Sequence, residues 1–157
     1  MKKLKFHSVL FLVFYLISSC GFKVVNQNKL TNFNVVDITS SGDVRINYEI
    51  KNKLLFNSEK NQNKKITINL ETEKKKIVKE KNIKNEITKY QIEITSKISF
   101  YEPGGKLKNQ KFTVTELGEY IVTKQYSQTL NNEKKLIQRL TDKLIDKILD
   151  QLIIKIQ

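Results

Sequence analysis

The last forty residues constrain the fold most strongly, because apolar residues recur there at every fourth position. This spacing predicts an amphipathic helix over about residues 128–155. A period of four exceeds the 3.6 residues of a helical turn, so the apolar surface winds around the axis and can contact both a sheet and a second helix. Two adjacent apolar ridges result, one of Leu136, Leu140, Leu144, Ile148 and Leu152, the other of Ile137, Ile145, Leu149 and Ile153, interrupted by Thr141.

The remaining side of this segment carries alternating charges. Acidic and basic residues three and four positions apart support each other on a solvent-exposed helix surface. The pattern therefore predicts one wet side, made of Asp142, Asp146 and Asp150 next to Lys135, Arg139, Lys143 and Lys147.

Alternation with a period of two marks the strands. It is clearest in residues 88–102, where apolar residues alternate with polar ones and only Ser96 interrupts the apolar face. A turn follows at residues 102–105, "EPGG", because proline presets φ and glycine accepts positive φ. Residues 111–123 supply the returning strand. An earlier strand is indicated by Ile66, Ile68 and Leu70, and a first one by Phe33, Val35 and Ile38.

A shorter helix is predicted over residues 43–56, with Ser41 as a candidate N-cap. The lysine-rich residues 74–86 are interpreted either as a hairpin tip or as an exposed extension of a strand. These elements give an α+β fold with the order β-α-β-β-β-α. We expect a single domain in which two helices pack on one face of a mostly antiparallel sheet of about four strands.

The N-terminus has the features of an exported protein. Lys2, Lys3 and Lys5 precede a short apolar stretch and two serines, which is typical of a signal peptide over residues 1–19. The segment "LISSC" resembles the bacterial lipobox, with Ile17 in place of the more usual leucine. That resemblance implies a covalent diacylglycerol and an N-acyl chain on Cys20, the only cysteine, and a mature chain of residues 20–157. Gly21, where an aspartate would retain a lipoprotein at the inner membrane, favours the periplasmic face of the outer membrane.

Composition excludes several classes of function. The net charge of +13 falls to +10 once the three signal-peptide lysines are removed, which favours anionic partners. Nucleic acid is not expected, because Arg45 and Arg139 are the only arginines and arginine makes the bidentate contacts to bases. The one histidine lies in the signal peptide and Cys20 is acylated. We therefore expect no metal site, no other cofactor and no enzymatic activity.

The order of elements, together with "CGF" at residues 20–22 and residues 120–149, resembles the LPS-assembly lipoprotein family, LptE. The matching features are Cys20, the "YSQTLNNEKKLIQRLTDKLIDKIL" helix and its LxDxI pattern at residues 144–148, although lysine, asparagine and isoleucine replace the usual alanines. The resemblance implies a lipoprotein that plugs and helps assemble the large outer-membrane β-barrel LptD. It also implies assistance in inserting lipopolysaccharide into the outer membrane.

Lysines near the expected hairpin ends are the candidate contacts to lipopolysaccharide or to the barrel. Exposed lysines attract phosphates and carboxylates through charge-assisted hydrogen bonds. The candidates are Lys74, Lys75, Lys76, Lys106, Lys108 and Lys111. Two other functions stay open: an auxiliary lipoprotein of a lipid-transport ABC system, and a purely structural outer-membrane lipoprotein.

Overall fold

The computed structural model describes residues 33–60, 62–105, 107 and 109–156. The signal segment, Cys20, Lys106 and Lys108 lie outside the described residues. The elements follow in the predicted order, as β1 (Asn34–Gly42), α1 (Val44–Asn57), β2 (Lys65–Lys81), β3 (Ile87–Tyr101), β4 (Gln110–Ile121) and α2 (Tyr126–Ile156). The predicted α+β class and element order are confirmed.

The sheet has the spatial order β1-β2-β3-β4. Strand β1 runs parallel to β2 because α1 carries the chain back across the sheet, and the other two pairs are antiparallel hairpins. Alternation places one set of side chains on the helix-covered side, where the buried core includes Ile68, Ile94, Leu144 and Ile148. The opposite side, called here the open face, is polar and includes Thr39, Glu71, Lys75, Lys97, Lys111 and Leu117.

Strand β1 extends further than the sequence indicated. The polar residues Ser40, Ser41 and Gly42 continue β1 and pair with β2 up to Thr72. The N-cap of α1 is Asp43, whose carboxylate accepts a hydrogen bond from the Ile46 N–H at 3.1 Å, so the assignment of Ser41 was wrong. A carboxylate is a strong cap because the first helical N–H groups lack partners within the helix.

The interruption at Ser96 has a structural partner. Ser96 and Thr72 are both buried on adjacent strands, and their hydroxyls share a hydrogen bond of 2.8 Å. Each hydroxyl thereby avoids the cost of burying an unpaired polar group. The hydroxyl of Ser96, which interrupts the apolar face of β3, therefore has its hydrogen-bond partner on β2.

Helix α2 packs along β4 and runs in the opposite direction. Glu133 in its first half meets Tyr120 near the end of β4, and a Cβ added at Gly118 would lie 2.8 Å from Leu136 and 3.3 Å from Leu140. The missing side chain of Gly118 thus lets the helix approach the strand closely. In the described part of the chain, neither helix has both the length and the apolar character needed to cross a bilayer.

Candidate functional site

The candidate lysines 74–76 lie in the far half of β2. Of the two alternatives given for this segment, the strand extension is correct for residues 74–81. The hairpin turn itself occupies residues 82–86. Alternation then sends Lys74 and Lys76 toward the helices and Lys75 to the open face. The three side chains therefore do not form one cationic surface.

Lys76 is held in a partly exposed polar cluster with Glu133, Tyr120 and Tyr90. Its Nζ lies 2.7 Å from Glu133 Oε2, which also accepts the Tyr120 hydroxyl proton at 2.7 Å, and 4.4 Å from the centroid of the Tyr90 ring. Partial burial alone would lower the pKa of Lys76, but the hydrogen bonds to Glu133 and Tyr120 outweigh it and raise the pKa to about 12. This lysine is a charged tie between β2 and α2.

Lys74 is also engaged within the molecule. Its Nζ lies 2.7 Å from Oδ2 of Asp43, the N-cap of α1. Partial burial would raise the pKa of Asp43, but hydrogen bonds from Lys74 and the Ile46 N–H hold it below its usual range. A ligand would have to compete with these internal carboxylates for Lys74 and Lys76, which makes both poor candidates for anion contacts.

The open face carries a better candidate for anionic ligands. A groove of about 520 Å³ crosses the strands near the beginning of β4. Lys97 and Lys111 contribute the cations, and Lys97 forms an exposed ion pair with Glu71 at 3.2 Å. Within the described residues, Lys111 has no carboxylate at ion-pair distance. The hydroxyl-bearing residues lining the groove are Thr39, Ser40, Ser41, Ser99 and Thr113.

This groove combines the chemistry needed for a phosphorylated sugar. Ammonium groups bind phosphate and carboxylate oxygens, and hydroxyls and amides can donate to or accept from sugar hydroxyls. Lys111 was among the predicted contacts, whereas Lys75 lies on the same face about six residues further along the sheet, on the order of 20 Å away. The structure thus does not bring these two predicted residues together.

Sequence reasoning missed Lys97. It lies between Ser96 and Ile98 in the alternating sequence of β3, on the exposed side of the strand, where no motif marks it. The same alternation contains the signal that could have found it, because residues 93, 95, 97 and 99 must share the face opposite to the core. The roles predicted for Cys20, Lys106 and Lys108 concern residues outside the described part of the chain.

Comparisons with known proteins identify the fold. Neither models of known protein families nor curated protein sequences match the chain. Among solved structures, the uncharacterized lipoprotein B from Nitrosomonas europaea has a TM-score of 0.60 at 14% identity, covering 85% of this chain and 90% of its own. Rare lipoprotein B from Shewanella oneidensis has a TM-score of 0.57 at 12% identity, covering 74% and 92%. The fold is therefore one that these lipoproteins share over nearly their whole length.

Proposed function

We propose that the protein is a non-catalytic outer-membrane lipoprotein, anchored through acylated Cys20 at the periplasmic face. The observation that carries this proposal is the shared fold, since about nine-tenths of each compared lipoprotein chain aligns with this one. The lipobox-like segment at residues 16–20 supports it independently, because it places the only cysteine where an acyl anchor is attached. Two or more acyl chains hold a protein stably on a membrane.

The finer proposal is that the domain plugs and helps assemble a large barrel of the LptD type and assists lipopolysaccharide insertion. It is supported by the resemblance of residues 20–22 and 120–149 to the LptE family. The open-face groove with Lys97 and Lys111 is the proposed contact for the phosphates and sugars of lipopolysaccharide. A mature net charge of +10 adds long-range attraction for such a ligand.

The test is affinity purification of the tagged lipoprotein in mild detergent, followed by mass spectrometry and an assay for retained lipopolysaccharide. We expect one large outer-membrane barrel protein in near-equal amount, with lipopolysaccharide bound. Recovery of inner-membrane transporter subunits would instead favour the auxiliary role in a lipid-transport ABC system. Recovery of neither would leave a purely structural lipoprotein.

A matched pair of charge reversals tests the groove. Lys97→Glu with Lys111→Glu should lower the retained lipopolysaccharide several-fold, because both cations of the groove become acidic. Lys84→Glu with Lys124→Glu changes the net charge equally but at exposed turns at the other end of the sheet. Equal retention by the two double variants would exclude the groove as the contact while leaving the barrel partnership intact.

A further inference from the structure

Strand β4 leaves a long unpaired edge. It is the last strand of the sheet, it runs for 12 residues without proline, and its pairing with β3 shows no register shift. Such an edge is a ready template for another strand, and proteins usually block one that has no partner. Within the described residues, no further strand lies beside it.

The end of β4 shows which of its residues bond to β3 and which direct their backbone groups outward. The Val122 N–H donates to the Thr88 carbonyl at 2.9 Å, so the even-numbered residues of β4 face β3. The odd-numbered residues direct their N–H and C=O groups outward. Consistent with this, the Ile121 carbonyl accepts a hydrogen bond from the Asn132 amide at 3.4 Å instead of bonding to β3. Outward donors are therefore available at Lys111, Thr113, Thr115, Leu117 and Glu119.

A row of cations on α2 lies above this edge. Lys135 and Arg139 line a groove of about 410 Å³ together with Glu119 and Ile121 of β4. Further along the helix, Lys147 reaches down to form an ion pair with Glu116 of β4. We call the row the basic ridge; its members are Lys135, Arg139, Lys143 and Lys147.

Three members of the basic ridge have no internal counter-charge. Lys135, Arg139 and Lys143 are exposed, and none of them lies within ion-pair distance of a carboxylate in the described part of the chain. The ion pair between Lys147 and Glu116 indicates that the other three cations of the ridge would accept a carboxylate as a partner. A carboxylate on the helix-facing side of a strand is within reach of this ridge.

We propose that the β4 edge and the basic ridge together bind an extended, acidic segment of a partner protein as a fifth strand. The segment would lie about 4.8 Å beyond β4 and bond to its outward N–H and C=O groups. Acidic side chains at every second position would point toward the ridge. Their spacing of about 6.8 Å along a strand nearly matches the spacing of about 6.0 Å between ridge residues four apart on the helix.

Charge selects this occupant over a second copy of the chain. Pairing two β4 edges would bring two basic ridges together on chains that each carry a net charge of +10 after signal removal. An acidic strand relieves that repulsion. The inference uses the backbone edge of β4 and the basic ridge of α2. The open-face groove shares Lys111 and Thr113 with that edge, but the groove offers their side chains and the edge offers their backbone groups.

The test uses the full-length lipoprotein in mild detergent and a nine-residue peptide in which glutamate alternates with valine. Fluorescence anisotropy would measure binding, and hydrogen exchange would locate it. We expect saturable binding with increased protection of residues 110–121. A peptide with lysine in place of each glutamate should bind at least tenfold more weakly, and so should the acidic peptide to Arg139→Glu. Equal binding of the two peptides, or none up to about 1 mM, would overturn the proposal.

A backbone variant separates strand addition from simple charge attraction. Thr115→Pro removes an outward N–H without removing a backbone bond to β3, and proline is tolerated on edge strands. The hydrogen bond of 3.0 Å between the Thr115 and Thr95 hydroxyls is lost equally in Thr115→Pro and in Thr115→Val. It should abolish peptide binding, whereas Thr115→Val, which keeps the N–H, should retain it. Binding that survives Thr115→Pro, protection outside β4, self-association through the edge, or preference for anionic vesicles over the peptide would each contradict the proposal.

Discussion

At the residue scale, the junction between β1 and α1 depends on a single glycine. Gly42 has φ of +92°, and a Cβ at this position would lie 1.9 Å from the Thr72 carbonyl oxygen. The same carbonyl accepts the Asp43 N–H at 2.8 Å, so it cannot move away without losing the bond that holds the N-cap residue of α1 to β2. Both the backbone conformation and the space around it therefore require glycine here.

Gly42→Ala should destabilise the protein by about 3 kcal/mol or more, because the clash adds to the cost of a positive φ. Gly104→Ala is the matched control. Gly104 also has positive φ, at +72°, but nothing lies within 4 Å of its added Cβ, so only the conformational cost of about 1 kcal/mol remains. Urea unfolding measures both variants, and equal losses would show that the Thr72 carbonyl gives way.

Glu133→Gln should lower stability at pH 7 by about 1 kcal/mol, through loss of the charged partner of Lys76. Partial burial would raise the pKa of Glu133, but hydrogen bonds from Lys76 and Tyr120 lower it below the ordinary 4.5. The stabilisation from ionised Glu133 is thus complete above 4.5 and is lost as pH falls through the lowered pKa. The difference between wild type and variant should shrink in that range.

At alkaline pH the stability changes in the opposite direction, because it falls as the pH rises. The pKa of Lys76 is raised to about 12, so its contribution is complete below 10.5 and is lost as pH rises from 10.5 through 12. Lys76 is 41% exposed, so solvent screening keeps this change small. Glu73→Gln, which breaks the exposed pair with Lys75, is the control and should cost under about 0.5 kcal/mol. A pH-independent gap between wild type and Glu133→Gln would contradict the assignment.

At the scale of elements, helix α2 shows which patterns a sequence can resolve. Its four-residue ridges predicted residues 128–155, and the helix spans Tyr126–Ile156. The alternation in residues 88–102 likewise predicted β3, which spans Ile87–Tyr101. Both elements bury a largely apolar surface, and the local spacing of apolar residues indicates that surface.

Elements held by distant partners were harder to predict. The lysines 74–76 continue β2 because they pair with β3 and because Asp43 and Glu133, far away in sequence, neutralise Lys74 and Lys76. The polar end of β1 is fixed by parallel pairing with Thr72. The cationic groove could not be predicted for the same reason, because Lys97 and Lys111 line one groove only once β3 has paired with β4. No local pattern contains these long-range contacts.

Thr141 is a polar residue at a position of α2 where the helix pattern calls for an apolar one. It interrupts an apolar ridge, is fully buried, and in the described part of the chain its Oγ1 has no hydrogen-bond partner. Thr141→Val should therefore stabilise the protein by about 1 kcal/mol, because an isosteric methyl replaces an unpaired hydroxyl. Thr141→Ser keeps the hydroxyl and removes the methyl, so it should destabilise by about 1 kcal/mol. Thermal unfolding compares the three proteins, and a destabilised Thr141→Val would mean that the hydroxyl is satisfied.

At the scale of the whole molecule, the proposed anchor and the domain are separable. Residues 21–32 connect Cys20 to the first described residue, Phe33. Cys20→Ala should therefore stop acylation and release a folded domain into the periplasm. Fractionation and mass measurement of the mature protein provide the check, with Ser19→Ala, which keeps a small residue before the cysteine, as the control. Acyl chains on the Cys20→Ala protein would contradict the lipobox interpretation.

The parallel pairing of β1 with β2 has a mechanical consequence for a tethered domain. With the proposed anchor on Cys20, a pull from the membrane would reach β1 at Asn34, the end of the strand that lies beside Lys65. If the far end of the β2–β3 hairpin is held, the force runs along the strands. The hydrogen bonds between β1 and β2 then bear the load simultaneously in shear, and do not open one after another like a zipper. The tether would thus be attached at a strand whose pairing geometry resists extraction.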